Sequence, residues 1–252
     1  MKYFIIGYPL INPNSPIIWN NFFFKKGLID KMEELEIHPK KFSSFKKTIE
    51  KKNFKAIVVT MPFKKKIMKI CNDFHLSSKL TNSCNLIIKN EEKIIGYNTD
   101  IIGFEKSLIK KKYSISTFEY CIIYGFGGVG SAIAKYISKK FKKKIYIITS
   151  KKYKDQKYLK FNNSNFENLS NALVINCTPV GSILSKKNES PFSDKFINQF
   201  HNSLIYDVNY KISKKNELKS YCLNSSNQYM NGLSMNKIQA KEAINFALIN
   251  EK

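Results

Sequence analysis

Short apolar runs alternate with longer amphipathic stretches along the whole chain. Runs of mostly apolar residues that stop at polar or turn-forming positions are typical of buried strands, and they occur at residues 3–7, 56–60, 120–124, 144–149, 172–176 and 204–207. Two further runs, at 85–89 and 93–97, flank a polar tripeptide and predict a β-hairpin.

Between these strands the spacing of apolar residues predicts helices. Ser15 and Pro16 are suited to the N-cap and first position of a helix that runs to residue 24. Other helices are predicted at residues 64–71, 77–80, 101–111, 131–141 and 233–248. Because strands alternate with helices in both halves, the pattern predicts an α/β protein of two units with mostly parallel sheets, connected by a helix such as 101–111.

A glycine-rich segment, GFGGVG at residues 125–130, lies between a predicted strand and a predicted helix. In such a segment Gly125 permits the sharp turn, Gly127 lets the backbone approach a pyrophosphate, and Gly130 lets the helix pack closely on the strand. The free N–H groups at the helix start attract phosphate charge. The segment therefore predicts a Rossmann dinucleotide-binding domain, with a glycine turn that holds no ligand as the alternative.

The segment after the next predicted strand indicates which dinucleotide is bound. An NAD site has Asp or Glu at this point to bind the ribose 2′-hydroxyl, but no acidic residue occurs between Glu119 and Asp155. Hydroxyl and ammonium groups stand there instead, on Thr149, Ser150, Lys151 and Lys152. NADP is therefore favoured over NAD, and the missing acid carries this prediction because lysine is abundant everywhere in the chain.

Composition adds one alternative. The 252 residues carry 43 Lys+Arg against 19 Asp+Glu, for a net charge of +24. All of the basic residues are lysine and they are spread along the chain, whereas proteins that bind nucleic acid rely on the arginine fork. A basic nucleic-acid-binding protein is therefore the weaker alternative, and no nucleic-acid partner is expected.

The five cysteines are far apart and form no CxxC or Cys/His cluster, which favours buried thiols in a reducing compartment over disulfides or a metal site. No run approaches the roughly 20 apolar residues that span a membrane. The apolar start of the chain is also too short for the core of a signal peptide. These features predict a cytoplasmic protein with no membrane partner and no metal.

Eight short segments with polar, glycine or proline residues follow one another along the chain. In chain order these are GYP and NSP within 7–16, VTMPFK at 59–64, Asn85, GYNTD at 96–100, GFGG at 125–128, NCTPVG at 176–181, YDVNY at 206–210, and GLSM with Gln239 within 232–239. Together they resemble the motifs of the shikimate dehydrogenase family, of which VTxPFK and NTD are the most specific. The resemblance covers nearly the whole chain.

The resemblance implies a fold and an activity. A substrate-binding and catalytic domain would comprise residues 1–100 and 233–252, with a Rossmann NADP-binding domain at 101–232 between them. The implied reaction is the NADPH-dependent, reversible reduction of 3-dehydroshikimate to shikimate in aromatic amino acid (chorismate) biosynthesis, by a monomer or homodimer. A quinate/shikimate dehydrogenase that uses NAD is the nearest rival, and a degenerate family member kept for binding is another.

The same resemblance implies roles for individual residues. Lys64 and Asp100 match the catalytic pair. The substrate-binding positions are Ser15, Asn14, Thr60, Asn85, Tyr210 and Gln239. The cofactor-binding positions are Gly125, Phe126, Gly127, Gly128, Val129, Thr149, Ser150, Lys151, Lys152, Val208 and Gly232.

The chain departs from the family pattern at two places. Pro13 stands where the family has a serine, and proline offers neither a hydroxyl nor an N–H. Asn12 or Asn14 is the expected replacement for that substrate contact. The second departure is that Ser150 and Lys151 replace the arginine of the adenosine-phosphate segment, so a bidentate fork is missing there.

Overall fold

The computed structural model describes residues 2–51, 53–149, 159–160, 168–183, 189–212 and 217–249. The chain divides into two compact units, Met1–Phe104 with Lys237–Lys252, and Glu105–Asn236. It crosses between them inside two helices, Asp100–Lys110 and Leu233–Ile249. The domain boundaries expected from the sequence, 100/101 and 232/233, lie at the starts of these helices. The boundaries between the two structural units lie inside the helices, at 104/105 and 236/237.

Eight helices lie within the described ranges: Asn14–Lys25 (α1), Phe42–Lys51 (α2), Leu76–Thr81 (α3), Asp100–Lys110 (α4), Gly128–Lys140 (α5), Asp194–Ile197 (α6), Glu217–Leu223 (α7) and Leu233–Ile249 (α8). The strands of the first unit are Lys2–Gly7 (β1), Lys31–Glu36 (β2), Ala56–Val59 (β3), Asp73–Phe74 (β4), Leu86–Asn90 (β5) and Lys93–Tyr97 (β6). Those of the second unit are Tyr120–Tyr124 (β7), Ile145–Ile148 (β8), Leu159–Lys160 (β9), Leu169–Ser170 (β10), Ala172–Asn176 (β11), Phe200–His201 (β12), Leu204–Asp207 (β13) and Gln228–Asn231 (β14).

The first unit is built on a mixed sheet in the order β2-β1-β3-β5-β6-β4, with the predicted hairpin as β5 and β6. Both faces of this sheet are covered. Phe4 and Ile6 of β1 point into one buried cluster, and Tyr3 and Ile5 point into the other, to which α8 contributes Ala243. Burial on both sides explains why these strands are continuously apolar in sequence. The predicted α/β class is confirmed.

The main sheet of the second unit is parallel throughout, in the order β14-β13-β11-β7-β8-β9. Counted along the chain within this sheet, the order is 3-2-1-4-5-6, which is that of Rossmann nucleotide-binding domains. The strand order reverses between β7 and β11. Ligands of such sheets bind outside the carboxyl ends of the strands at that reversal. A ligand of this unit is therefore expected beside the residues that follow β7, β11 and β13.

Some predicted elements differ from the structure. Helix α1 begins at Asn14 with Pro13 as its N-cap, so Ser15 lies inside the first turn and is not the cap. The helix expected at 64–71 is only a short 3₁₀ helix, Lys66–Ile70. Strand β2 was not predicted, because Met32 is its only buried residue and the rest of the strand is largely polar. Within the described ranges, none of the helices combines the length and apolarity needed to cross a membrane.

Candidate active site

Lys64 and Asp100 form an ion pair in the first unit. The Lys64 Nζ donates a hydrogen bond of 2.7 Å to Asp100 Oδ2, and the two side chains are only 13% and 11% exposed. The backbone of Lys64 is fixed because its carbonyl accepts a 2.8 Å hydrogen bond from the Cys84 N–H and because Phe63 before it is buried. Asp100 is the first residue of α4, where the helix dipole favours a carboxylate.

A buried polar cluster adjoins this pair. Asn85 Nδ2 lies 2.9 Å from Asp100 Oδ1, 3.0 Å from Thr99 Oγ1 and 3.2 Å from Gln239 Oε1. Asn85 Oδ1 accepts a hydrogen bond of 2.7 Å from the Thr99 N–H. Because Gln239 is on α8, this cluster joins the C-terminal helix to the segments that carry Asn85 and Asp100.

This arrangement determines the chemistry that the cluster can support. A lysine ammonium beside a carboxylate can give or take a proton at a substrate oxygen and can stabilise negative charge that develops there. The neighbouring amide groups can both donate and accept hydrogen bonds, as a substrate with several hydroxyls requires. The cluster is therefore suited to the interconversion of an alcohol and a carbonyl.

The structure brings together four of the predicted residues, Lys64, Asp100, Asn85 and Gln239. Three others lie in the same unit. Asn14 and Ser15 are in the first turn of α1, and Thr60 follows β3. A β-carbon at Gly7 would overlap the Thr60 methyl group, so the turn after β1 and the turn after β3 pack closely. Tyr210 belongs to the second unit and is half-buried.

Thr99 also belongs to this polar cluster, although it is not among the site residues predicted from the motifs. It is fully buried, and its hydroxyl donates a 3.1 Å hydrogen bond to Gln239 Oε1 while also facing the Asn85 amide. Its position in the middle of the NTD segment was the available signal. Asn98 of the same segment supports Asp100 from behind, because Asn98 Oδ1 accepts a 3.1 Å hydrogen bond from the Asp100 N–H.

Thr99→Val keeps the size of the side chain and removes this hydroxyl. We expect the KM for the alcohol substrate to rise about tenfold with a smaller change in kcat, because Asn85 and Gln239 lose the group that orients them, an interaction of roughly 1 kcal/mol or more. Steady-state kinetics at saturating cofactor measures this split. Thr117→Val, at an exposed threonine of the second unit, is the matched control. An unchanged KM for the alcohol substrate in Thr99→Val would remove Thr99 from the site.

The glycine loop of the second unit follows β7 and enters α5. Gly125 has φ +93°, and a β-carbon there would lie 2.7 Å from the Thr178 methyl group. A β-carbon at Gly130 would overlap the carbonyl oxygen of Gly125, so both positions need glycine because the backbone leaves no room. At Gly127 and Gly128, by contrast, a β-carbon would meet no atom within 4 Å.

Those two open glycines lie at the start of α5. Gly127 is the N-cap of this helix and has no side chain with which to cap it. The first N–H groups and the positive end of the helix dipole therefore lie beside two glycines, where an anion can approach the backbone closely. Phe126 and Val129 are half-buried beside them. This cradle fits the pyrophosphate of a dinucleotide, which needs close backbone approach and helix N–H donors.

The other predicted cofactor residues lie around the same sheet edge. Val208 follows β13, and a β-carbon at Gly232 would overlap its carbonyl oxygen, so glycine is needed at 232 for this close approach. Thr149 directly follows β8. Ser150, Lys151 and Lys152 lie outside the described residues.

Comparisons with known proteins agree with this geometry. Residues 5–87 match the family profile described as the shikimate dehydrogenase substrate binding domain. A protein of Clostridium botulinum (strain Hall) named shikimate dehydrogenase (NADP(+)) is 30% identical over 252 residues, which covers 98% of this chain and 96% of that protein. A protein of the same name from Staphylococcus aureus (strain MSSA476) is 29% identical, covering 96% of this chain and 91% of that one.

Solved structures show the same fold over almost the full length. A chorismate mutase/shikimate 5-dehydrogenase fusion protein from Clostridium acetobutylicum superposes with a TM-score of 0.84 at 27% identity, covering 98% of this chain and 90% of that one. Shikimate dehydrogenase from Aquifex aeolicus gives a TM-score of 0.82 at 24% identity, covering 100% of this chain and 96% of that one.

The Rossmann strand order, the open glycine cradle and the paired lysine and carboxylate define the class of the protein, an α/β oxidoreductase that uses a dinucleotide. Within that class, the chain belongs to the shikimate dehydrogenase family. The family predicted from the eight segments is confirmed.

Proposed function

We propose that this chain is an NADP-dependent shikimate dehydrogenase, which reversibly reduces 3-dehydroshikimate to shikimate in aromatic amino acid biosynthesis. The observation that carries the proposal is the Lys64–Asp100 pair, which lies inside the Asn85, Thr99 and Gln239 cluster of a chain that belongs to this family. Its burial and its ion pair distinguish Lys64 from the many solvent-exposed lysines of the surface.

The chemistry divides between cofactor and protein. When bound, the nicotinamide cofactor supplies or accepts the hydride. Lys64 Nζ holds the proton that the substrate oxygen gains on reduction, and its charge stabilises that oxygen as negative charge develops. Asp100 orients the ammonium through the 2.7 Å hydrogen bond and offers its other oxygen to a ring hydroxyl.

Substrate binding is proposed to use both amide and hydroxyl side chains. Asn85 and Gln239 hold ring hydroxyls through the amide groups that already meet in the cluster. Ser15, Thr60 and Tyr210 supply further hydroxyl donors and acceptors, as in the family motifs. Asn12 or Asn14 takes the place of the serine contact that Pro13 lacks.

Cofactor binding is proposed to use the loop from Gly125 to Val129 for the pyrophosphate, with Val208 and Gly232 on the nicotinamide side. The choice of NADP is supported by two observations: the chain has no acidic residue between Glu119 and Asp155, and its relatives are named for NADP(+). Thr149, Ser150, Lys151 and Lys152 are the proposed contacts of the 2′-phosphate.

Several wider features complete the proposal. The first unit binds the substrate and the second binds the cofactor, consistent with the profile that matches residues 5–87. The enzyme works in the cytoplasm as a monomer or homodimer without nucleic acid. Five free thiols support a reducing compartment, since extracellular proteins commonly pair theirs.

The test is an assay of the purified chain with shikimate, in which the absorbance of the reduced cofactor is followed. NADP and NAD are tried separately, and each is repeated with quinate. We expect turnover with shikimate and NADP, at a kcat/KM at least about tenfold above that with NAD, since one charge-assisted contact to the 2′-phosphate is worth roughly 1.5 kcal/mol or more. Equal use of NAD together with quinate oxidation would favour the rival enzyme, and no turnover of either acid would end the proposal.

A further inference from the structure

A buried carboxylate in the second unit has no role in the proposed proton transfer, substrate binding or cofactor contacts. Asp207 is the last residue of β13 and is 1% exposed. Its Oδ1 accepts hydrogen bonds from Asn176 Nδ2 at 3.0 Å, from the Asn209 N–H at 3.1 Å and from Asn209 Nδ2 at 2.9 Å. Tyr229 donates to its Oδ2 at 3.4 Å. Every partner described for this carboxylate is therefore an uncharged donor.

The donors that meet at Asp207 continue to the loops of the cofactor cradle. On one side, Asn176 Oδ1 accepts hydrogen bonds from the Thr178 N–H at 3.0 Å and the Thr178 hydroxyl at 2.8 Å. Thr178 in turn packs against Gly125, where it leaves no room for a side chain. Asp207 is thus connected to the first glycine of the glycine loop through two side chains.

On the other side, Asn209 links the turns that follow β11 and β13. Its Nδ2 donates to the Thr178 carbonyl at 2.8 Å, and its own carbonyl accepts a 3.0 Å hydrogen bond from the Gly232 N–H. Gly232 packs against the carbonyl of Val208. The three segments that carry Gly125, Val208 and Gly232 are therefore linked to one carboxylate through Asn176 and Asn209.

We infer that Asp207 is a positioning residue for NADP(H), which fixes the turns after β7, β11, β13 and β14 in the arrangement that binds the cofactor. The inference rests on the proposed function. Asp207 itself is not proposed to contact the cofactor or the substrate. It acts through Asn176 and Asn209, because an ionised carboxylate accepts hydrogen bonds from all the donors around it, whereas a protonated one must donate its own proton.

Protonation of Asp207 is expected within an accessible pH range. Burial raises the pKa of Asp207 from its ordinary 3.8 to about 6, although the hydrogen bonds from Asn209, Asn176 and Tyr229 oppose this. The other titratable groups that interact with it are Cys177 and Tyr206, whose own pKa values are raised further by its charge. Below about pH 6 the carboxylate is therefore increasingly neutral, and the turns lose their common acceptor.

Stability and cofactor affinity should then change in opposite directions with pH. Because the folded pKa lies above the unfolded one, the folded chain binds the proton more tightly, and the contribution of this group to stability falls as pH rises from about 4 to about 6. Cofactor affinity should instead rise over the upper part of the same range. A residue with a merely structural role would give the same pH dependence of stability and would leave NADPH affinity unchanged over this range.

The test compares the full chain with Asp207→Asn, which keeps the size of the side chain and removes the charge. NADPH binding is followed by fluorescence titration without substrate, from pH 5 to pH 8. The 2′-phosphate of the cofactor also titrates near pH 6, and this affects both proteins equally. The informative quantity is therefore the dissociation constant of Asp207→Asn divided by that of the wild type at the same pH. We expect Asp207→Asn to bind about tenfold more weakly at pH 8, as expected when hydrogen bonds to a charged group are lost. That ratio should approach one at pH 5.

Controls separate the possible outcomes. Asp194→Asn, at an exposed aspartate of the same unit, should bind NADPH like the wild type at every pH. If Asp207→Asn fails to fold, Asn209→Ser removes one donor from the same network at a half-buried position and should weaken binding severalfold. Equal NADPH affinity of variant and wild type at pH 8 overturns the inference alone. A wild type that does not bind NADPH at any pH overturns the proposed function as well.

Discussion

Lys64→Ala should lower kcat by about a hundredfold to ten-thousandfold, the range typical of a lost general acid–base group, while the KM for shikimate changes by less than about tenfold. The physical reason is that the ammonium matters most when the substrate oxygen gains negative charge and a proton, which happens in the transition state and not in the bound ground state. Steady-state kinetics with shikimate and NADP measures both constants. Lys65→Ala, at the exposed neighbouring lysine, is the control and should behave like the wild type.

Two results would contradict this assignment. One is a Lys64→Ala variant with near-normal kcat, which would show that this lysine is not part of the reaction. The other is a large rise in KM with unchanged kcat, which would make Lys64 a substrate-binding residue only. Because removal of Lys64 leaves Asp100 without its ion-pair partner in a largely buried place, thermal unfolding of each variant should accompany the kinetics.

The second large effect concerns two glycines of one loop. Gly130→Ala should lower the free energy of unfolding of the second unit by about 3 kcal/mol, since its β-carbon would overlap the carbonyl of Gly125 and the backbone must shift. Gly127→Ala should leave stability nearly unchanged, because its β-carbon enters open space and its φ of −78° suits any residue. The same variant should weaken NADPH binding, because the methyl group occupies the space proposed for the pyrophosphate.

The pair is measured by urea unfolding and by NADPH titration of the folded variants. Each glycine serves as the control for the other, since the substitution and the loop are the same. Equal losses of stability in both variants would mean that the cradle is packed throughout and leaves no space for a phosphate. Undiminished NADPH binding by Gly127→Ala would place the cofactor elsewhere.

Much of the fold could be predicted because its strands are buried. Strands β7, β11 and β13 are apolar except for the last residues of β11 and β13, Asn176 and Asp207, and their bounds agree with the expected residues 120–124, 172–176 and 204–207. Strand β2 could not be found in the same way. It lies at the edge of its sheet and buries only Met32, so its sequence KMEELE has no apolar pattern that distinguishes it from an exposed segment.

The site could be predicted only in part, for a different reason. Lys64, Asp100 and Asn85 stand out because they occur in recognisable segments at element ends. Thr99 and Asp207 also lie in such segments, but their importance comes from hydrogen bonds with Gln239, Asn176 and Asn209, which a one-dimensional pattern does not specify. The roles of all these residues stay predictions until the variants are measured.

Gln239 of α8 accepts a hydrogen bond from Asn85, which lies 154 positions earlier in the chain. The polar cluster therefore depends on a residue that is synthesised late. In the order of synthesis, the whole of Glu105–Asn236 precedes the residue that completes the polar cluster. The Rossmann unit can therefore fold while its neighbour still lacks a helix, since domains commonly fold as units during synthesis. A chain that ends after residue 236 should therefore bind NADPH and yet have no complete pocket for shikimate.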